Sequence, residues 1–343
     1  MRQLLNVLYV TTPDSYLCLD GENVVIRAQE KELGRVPIHN LEGMAVFGYQ
    51  GISPALMRHF CEMGKWVSFL SPTGRFLASV NGEMKGNVLL RKEQYRISDS
   101  ESRSLDIAKH MIGAKTANSK TVIQRFTRDH PFSTDNNRLA EILRLLSGDL
   151  PLVKTCGSLD SLRGIEGLQA NRYFSVFGEL ILQEREFFRF AGREKRPPKD
   201  PMNALLSFVY SLCANECASA LSCAGLDPYV GFLHTDRPGR KSLALDLMEE
   251  LRAPLCDRFV LSLINRKQIG ESDFVVKENG TVLLKEEPRK KLLVGWQEKK
   301  KEALVHPFLD VKVSWGLIPI IQAQLLARYI RGDLDGYPPF LWR

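Results

Sequence analysis

The 343-residue sequence lacks several features that would assign it to a familiar class. Its 7 cysteines are an odd number, and none stands in a C-x-x-C pair, which disfavours both a disulfide framework and a structural zinc site. No run of roughly 18 or more apolar residues occurs, so a membrane-spanning helix is not expected. There is no recognisable signal peptide, internal repeat or low-complexity tract. These absences predict a cytoplasmic protein with reduced thiols.

The net charge is positive but moderate. Lys and Arg number 47 against 40 Asp and Glu, which gives a formal charge of +7. This surplus favours a polyanionic partner such as nucleic acid, while an ordinary basic enzyme remains an equal alternative. With 44% hydrophobic residues, the chain can form one large domain or two ordinary ones.

The first 95 residues are rich in predicted strands. Asp20-Gly21 is a typical hairpin turn, and a second turn is predicted at Pro72 and Gly74. One helix interrupts the strands, with Ser53 as its N-cap, Pro54 at its first position and Gly64 at its end. The predicted strands cover residues 4–10, 16–19, 24–26, 44–47, 66–70 and 75–80.

After residue 95 the hydrophobic pattern becomes helical. A polar stretch, 98–102, predicts a hinge and a helix start, and 192–201 predicts an exposed loop. Two short strands around Asn279-Gly280 predict a hairpin. Strands followed by helices indicate an α+β protein, with an N-terminal β-rich domain over 1–95 and a larger all-α domain over 96–343. The predicted helices cover residues 101–128, 136–148, 160–190, 202–223, 242–266 and 312–331.

The candidate catalytic residues are concentrated at His234 and in the helix that begins after it, at Ser242. This helix carries three acids on one side, away from a stripe of leucines. Like charges this close repel one another, and a bound cation would relieve that repulsion. A solvated face of an amphipathic helix explains the same pattern. Pro254 is expected to end the helix. The three acids are Asp246, Glu249 and Glu250.

A fourth acid, Glu166, stands between Gly164 and Gly167 in a predicted helix. Each glycine costs a helix about 1 kcal/mol relative to alanine, which suggests that a neighbouring helix or a ligand closely approaches the backbone. His234 is followed by three basic residues, which would either bind phosphates or form a basic surface turn. These are Arg237, Arg240 and Lys241.

Three separated motifs resemble those of CRISPR-associated protein one, the spacer-acquisition integrase. The first is Gly164-Ile165-Glu166-Gly167, followed by Ala170 and Tyr173-Phe174. The second is Gly231-Phe232-Leu233-His234-Thr235, followed by the segment 242–249. The third, Ala114 to Ser119, is similar to that family's Ala-Lys-x-x-Asn stretch, although Ser119 stands where Gln is usual. The resemblance covers essentially the whole chain and is closest to the type I-C version.

The resemblance implies a metal-dependent enzyme. In that family Glu, His and a downstream acid hold one Mg²⁺ or Mn²⁺, which here implies Glu166, His234 and Glu249, with Asp246 as an additional essential acid. The family often has Asp where Glu249 stands, and Glu250 remains an alternative ligand. A 3′-hydroxyl of incoming DNA would attack a phosphodiester of the CRISPR repeat, and attack by water would make the site an endonuclease.

The resemblance also implies partners: double-stranded prespacer and repeat DNA, a homodimer formed through the N-terminal domain, CRISPR-associated protein two in a heterohexamer, and CRISPR-associated protein four. Arg237, Arg240 and Lys241 are the predicted DNA contacts. Further basic clusters lie at 193–199, 289–291 and 299–301, and for the last an exposed helix start is the favoured explanation. Two rival functions are a metal-dependent endonuclease on branched or damaged DNA and a non-catalytic DNA-binding scaffold.

Overall fold

The computed structural model describes residues 6–29, 31–48, 50–71, 76–80, 88–131, 136–194 and 197–342, and the chain separates into two compact units. The first unit contains residues 1–86, 289–302 and 314–317, and the second contains 87–288, 303–313 and 318–343. Strands dominate the first unit and helices the second, which confirms the predicted α+β class. The predicted domain limits at residue 95 and the dimerising role stay predictions.

In the part of the chain that the structure describes, the first unit contains two four-stranded sheets, one helix between strands and most of the later helix Glu286–Lys301. Its elements up to residue 80 are β1 (Asn6–Val10), β2 (Tyr16–Asp20), β3 (Asn23–Ala28), β4 (Lys31–Pro37), β5 (Leu41–Phe47), β6 (Gly51–Ile52), α1 (Pro54–Glu62), β7 (Trp66–Leu70) and β8 (Phe76–Val80). In one sheet, of order β1-β5-β7-β8, the first three strands are parallel and β8 is antiparallel; the other has the order β4-β3-β2-β6.

Local sequence signals explain most of this unit. Ser53 Oγ accepts the Leu56 amide at 3.2 Å, and Gly64 has a φ of +68°, so α1 begins and ends where predicted. All six predicted strands are confirmed over the described residues; positions 4, 5 and 72–75 lie outside them. Strands β4 and β6 were missed, because β4 is an edge strand of mostly exposed residues and β6 has only two residues.

The second unit is mainly helical. The elements after residue 87 are α2 (Val88–Ser98), α3 (Glu101–Asp129), α4 (Asn136–Thr155), α5 (Leu159–Ser175), α6 (Pro201–Cys223), α7 (Ser242–Glu249), α8 (Arg258–Asn265), β9 (Phe274–Val276), β10 (Val282–Leu284), α9 (Glu286–Lys301), β11 (Ala303–Val305), β12 (Lys312–Ser314) and α10 (Ile318–Ile330). A hairpin pairs β9 with β10 in antiparallel register, with Gly280 at a φ of +76°, as predicted. Most of α9 belongs to the first unit.

Several helix predictions need correction. The helix predicted over 160–190 ends at Ser175, where a cluster of aromatic rings including Phe174, Phe177 and Phe190 folds the chain into a 3₁₀ turn and then irregular structure. The helix predicted from 312 begins only at Ile318, because 312–314 form β12. Helices α2 and α9 were not predicted, and residues 299–301 end α9 instead of starting a helix.

The stretch predicted as one helix over 242–266 is divided by a π-helical segment, Arg252–Asp257. Pro254 lies inside this segment and does not end the helical run. Proline has no amide hydrogen, and the wider π turn accommodates it; the Cys256 amide bonds to the Leu251 carbonyl, five residues back, at 3.4 Å. Glu249 therefore lies at the point where regular α-helix changes to π geometry.

Helix α6 is the core helix of the second unit. It is the one helix among the described residues that is long and apolar enough to cross a membrane, and 78% of its most apolar window is buried inside the protein. A buried core helix passes the same test of length and composition, so α6 is weak support for a membrane span.

Candidate active site

The loop before α7 is held by a single buried carboxylate. Asp246 Oδ2 accepts the amides of Phe232 and Leu233 at 2.7 and 3.0 Å, and Oδ1 accepts the amide of His234 at 3.0 Å. A Cβ at Gly231 would lie 2.9 Å from Asp246 Oδ2 and 2.7 Å from the Ser242 Cβ, so the loop can approach α7 this closely only with glycine at that position.

The same carboxylate orients the imidazole of His234. The Nδ1 atom lies 2.6 Å from Asp246 Oδ1, while Nε2 points to Glu249 Oε1 at 3.9 Å. A carboxylate at Nδ1 favours the proton on that nitrogen and leaves the Nε2 lone pair available, as in carboxylate–histidine–metal arrangements. Because Asp246 already accepts four hydrogen bonds, the geometry indicates a positioning role for it.

Glu249 lies in a positively charged environment. Its Oε2 is 2.8 Å from Lys115 Nζ, and its Oε1 is 3.0 Å from an Arg252 nitrogen. Burial alone would raise the pKa of Glu249, but the charges of Arg252, Lys115 and His234 outweigh burial and hold this pKa at about 2. The carboxylate is therefore ionised at any physiological pH.

Lys115 joins Glu249 to the third predicted ligand. Its ammonium group contacts Glu166 Oε1 on α5 as well as Glu249 on α7, so both acids face one point from separate helices. No three His, Cys, Asp or Glu side chains of the described residues lie close enough to hold a metal as they stand. The donor set itself, two carboxylates and an imidazole nitrogen, suits Mg²⁺ or Mn²⁺, and Lys115 marks where positive charge is favoured. These residues fit such a cation if the Lys115 ammonium group moves away from the two carboxylates.

Glu250, the alternative ligand, faces away from this cluster. Its carboxylate accepts the Tyr337 hydroxyl at 2.7 Å, the Phe340 amide at 2.8 Å and the Gln322 side-chain amide at 2.9 Å. Burial raises the pKa of Glu250 to about 7, and these three hydrogen bonds offset part of that effect. Of the three acids after Ser242, the geometry therefore favours Glu249 as the ligand.

A cavity of about 470 Å³ adjoins the cluster and is lined by Lys115 and Glu166 as well as by more distant side chains. Two guanidinium groups lie near the ring of Tyr210, that of Arg193 at 5.2 Å and that of Arg252 at 5.1 Å from the ring centre. Three buried donors that line the cavity form no hydrogen bond within the described part of the chain; these are Gln169 Nε2, Arg193 Nε and Arg252 Nε.

Of the two alternatives predicted for the glycines beside Glu166, the structure excludes one. A Cβ added at Gly164 or Gly167 would meet no heavy atom of the described residues within 4 Å, so no helix among them packs closely there. The prediction of a close protein approach is wrong. Gly167 lines the cavity, which leaves the other alternative, a ligand near the helix.

The predicted DNA contacts differ in exposure. Arg237 is exposed, whereas Arg240 is half-buried and bonds to the Thr235 carbonyl at 3.5 Å. Lys241 turns inward: its Nζ bonds to Asn215 Oδ1 at 3.2 Å, and burial lowers the pKa of Lys241 to about 8. Arg237 is thus the clearest candidate of the three for a phosphate contact.

The other basic clusters are less uniform than their sequences suggested. Arg193 lines the cavity, although an exposed loop was predicted there, while positions 195 and 196 lie outside the described residues. In the run 299–301, Lys300 is only 1% exposed, so an exposed cluster of three lysines is wrong.

Sequence reasoning assigned no role to Lys115, Arg252 or Tyr210. Lys115 was visible as the lysine of the Ala-Lys-x-x-Asn motif, and Arg252 stands three residues after Glu249 on a helical run, where side chains meet. Tyr210 lies in an apolar helix and gave no signal.

Comparison with known proteins places this geometry in a family. The family model for CRISPR associated protein Cas1 matches residues 8–298. The chain belongs to the Cas1 family. It is 46% identical over 343 residues to the CRISPR-associated endonuclease Cas1 1 of Chlorobaculum tepidum and 47% identical over 353 residues to the CRISPR-associated endonuclease Cas1 2 of Rhodospirillum rubrum, with 100% of each chain covered. It is 34% identical to a CRISPR-associated exonuclease Cas4/endonuclease Cas1 fusion of Geobacter sulfurreducens, covering 98% of this chain and 60% of the fusion.

Solved structures share the fold. A casposase bound to integration product has a TM-score of 0.84 and 23% identity, covering 98% of this chain and 94% of that one. A chain of a Cas6-RT-Cas1–Cas2 complex has a TM-score of 0.82 and 22% identity, covering 100% of this chain and 36% of that one. At these identities the likeness extends to the fold alone.

Proposed function

We propose that the chain is a CRISPR adaptation integrase, a divalent-metal-dependent enzyme that inserts prespacer DNA into the CRISPR repeat. The observation that carries the proposal is the meeting of Glu166 and Glu249 at Lys115, with Nε2 of His234 directed at Glu249. Lys115 lies on α3, Glu166 on α5 and Glu249 on α7, and His234 lies in the loop that precedes α7. Membership of the Cas1 family and relatives named CRISPR-associated endonucleases support the assignment.

In the proposed site Glu166, His234 and Glu249 hold Mg²⁺ or Mn²⁺, and Asp246 keeps the imidazole turned so that Nε2 faces the ligand. The cation, when bound, supplies Lewis acidity at the scissile phosphate. The 3′-hydroxyl of the incoming strand forms a new P–O bond while the P–O bond to the leaving strand breaks. The number of phosphodiester bonds stays constant; the attacking hydroxyl gives its proton to solvent, and the leaving oxygen takes one up to become a free hydroxyl.

The cavity supports a DNA substrate. Its unpartnered donors, Gln169 Nε2, Arg193 Nε and Arg252 Nε, suit an anionic, acceptor-rich ligand better than an apolar one. Buried donors without partners cost free energy, and phosphate or base oxygens would satisfy them. Arg237, on the exposed loop after His234, extends positive charge to the outside of the site.

The proposal includes partners. We expect the chain to act in the cytoplasm as a homodimer formed through the N-terminal unit and to assemble with CRISPR-associated protein two, in a type I-C system. The likeness to a chain of a Cas1–Cas2 complex is consistent with that assembly. CRISPR-associated protein four is a further expected partner, in keeping with the relative in which Cas4 and Cas1 are fused.

A strand-transfer assay tests the function. The purified chain, with its partner two, is incubated with a labelled prespacer and a repeat-containing plasmid, with Mn²⁺, with Mg²⁺ or with chelator. Branched products that join the prespacer 3′ end to the repeat, and that require the cation, are expected. The matched control is Glu141→Gln, the loss of one carboxylate at an exposed position of α4, which should leave product formation unchanged and metal-dependent.

Two outcomes would contradict the proposal. Nicks without joined products would favour an endonuclease acting on branched or damaged DNA. DNA binding with neither product would favour a scaffold.

A further inference from the structure

The last described residues pack into the helical unit in an alternating pattern. Phe340 and Tyr337 are at most 1% exposed and Trp342 is 9% exposed, whereas Leu341 between them is 41% exposed. We call residues 337–342 the tail segment. Its buried side chains contact the helices that carry the Lys115–Glu249 ion pair.

Asn118 connects the tail segment to both of these helices. It lies on α3, three residues after Lys115 and therefore on the same side of the helix. Its Nδ2 donates to the Phe340 carbonyl at 2.8 Å and to the Glu250 carbonyl at 2.7 Å, while its Oδ1 accepts the Trp342 amide at 2.8 Å. One buried side chain thus links α3, the end of α7 and the tail.

Glu250 forms the second connection. It directly follows Glu249, and its carboxylate accepts the Phe340 amide and the Tyr337 hydroxyl at 2.8 and 2.7 Å. The end of α7 is therefore bonded to the tail through both the backbone carbonyl and the side chain of Glu250. Glu249 occupies the adjacent position, with its own side chain on the ion-pair side.

Trp342 closes the arrangement. The guanidinium groups of Arg125 on α3 and Arg258 on α8 lie 4.2 and 4.3 Å from the centre of its ring. Cations this close to an indole are attracted by the quadrupole of the ring, which favours one fixed position of the tail beside the two helices.

We propose that the tail segment is a positioning element of the active site: Asn118, Glu250 and Trp342 hold α3 and the end of α7 at the spacing at which Lys115 and Glu249 meet. None of the three needs to touch DNA or metal. A misplacement of reacting groups by about 1 Å costs roughly a hundredfold in rate, so a loosened tail should slow the chemical step more than it weakens DNA binding.

The experiment compares Trp342→Ala with Leu341→Ala in the full chain. Leu341 lies in the same segment but is exposed, so it is the matched control. Hydrogen exchange of the amides in 243–251, single-turnover strand transfer and DNA affinity are measured on folded protein. For Trp342→Ala we expect faster exchange, a rate constant at least about tenfold lower and a DNA Kd within about twofold of wild type. Leu341→Ala should change none of these.

Two further variants complete the design. Trp342→Phe keeps an aromatic ring beside the arginines, so it should retain most of the wild-type rate of strand transfer. If Trp342 only filled space, an aromatic ring would not be needed for that rate. If Trp342→Ala does not fold, Trp342→Leu, which keeps apolar volume without the π face, takes its place with the same expectations. Wild-type exchange and rate in folded Trp342→Ala or Trp342→Leu would overturn the proposal.

The catalytic readout rests on the proposed function, but the exchange readout does not. If the wild-type chain forms no metal-dependent product, the proposed function fails, while exchange in 243–251 still decides whether the tail positions α7.

Discussion

Asp246 and His234 are hydrogen-bonded neighbours, but replacing Asp246 should mainly lower stability, whereas replacing His234 should mainly lower activity. Asp246 is buried and accepts four hydrogen bonds, so Asp246→Ala leaves buried donors unpaired and should cost at least about 2 kcal/mol of unfolding free energy. His234→Ala should cost less than about 1 kcal/mol, because the ring is partly exposed, yet abolish strand transfer. Denaturant unfolding and the strand-transfer assay measure the two effects. A His234→Ala chain with normal activity would contradict the ligand assignment.

Lys115 should compete with a bound cation. Lys115→Met removes the positive charge between Glu166 and Glu249, so Mn²⁺ affinity should rise roughly tenfold, as expected for the loss of one nearby like charge. Calorimetric Mn²⁺ titration measures this. Lys120→Met, the same change one and a half turns along α3, is the control and should leave affinity unchanged. Weaker Mn²⁺ binding by Lys115→Met would place the cation elsewhere.

Asp257 should make stability depend on pH. Burial raises the pKa of Asp257 from 3.8 to about 6, although the Tyr210 hydroxyl at 2.5 Å and the charges of Arg252 and Arg193 oppose this rise. Because the pKa is raised on folding, the contribution of Asp257 to stability is fully present below pH 3.8 and is lost as pH rises through about 6.

Asp257→Asn should therefore flatten the fall in unfolding free energy over this pH range, by up to about 1.4 kcal/mol per pH unit. Thermal unfolding of both proteins between pH 4 and pH 7 measures the slopes. Parallel slopes would show that Asp257 does not titrate with a raised pKa. Exposed Asp160→Asn is the control and should not change the slope.

Among the helices and loops, three glycines in the matched motifs should respond differently to alanine. Gly164 and Gly167 lie within α5 with open space at the Cβ position, so alanine should stabilise each by up to about 1 kcal/mol. Gly231→Ala should instead lower stability and activity, since its Cβ would push the loop away from Asp246. Melting temperatures and strand transfer test this contrast. Loss of DNA affinity in Gly167→Ala alone would indicate DNA in the adjoining cavity.

The sequence predicted the elements with strong local signals and missed those defined by tertiary contacts. Alternation of apolar residues and the Ser53 cap placed most strands and α1 correctly. The periodic pattern predicted a helix up to residue 190, but the helix ends at Ser175, where an aromatic cluster follows. Pro254 was expected to break the helix, and only the structure shows that a π turn accommodates it.

The candidate site was predictable to a similar degree. Motif resemblance selected Glu166, His234, Asp246 and Glu249 as a set, but spacing along the chain cannot separate a ligand from the residue that orients it. That separation depends on which side of α7 each acid faces and on the loop wrapped over Asp246. Lys115 and Tyr210 could not be given roles, since their partners lie far away in sequence.

The whole molecule carries a modest surplus of positive charge, so we expect its affinity for DNA to fall as the salt concentration rises. Arg237→Ala should lower DNA affinity a few-fold and reduce the slope of log affinity against log salt by about one. Lys301→Ala removes the same charge where it is paired with Glu298 at 2.8 Å and should have little effect. Binding titrations at several salt concentrations measure both slopes. Equal effects of the two changes would indicate non-specific attraction.

The placement of Trp342 gives the chain a built-in optical reporter. Of the 4 tryptophans, Trp66, Trp296 and Trp315 belong to the first unit, and only Trp342 belongs to the second. Replacing the first three with phenylalanine would leave tryptophan fluorescence, excited selectively over tyrosine, that arises solely from the indole beside Arg125 and Arg258. Its emission would then show, in real time, whether the Trp342 side chain keeps its buried position during turnover.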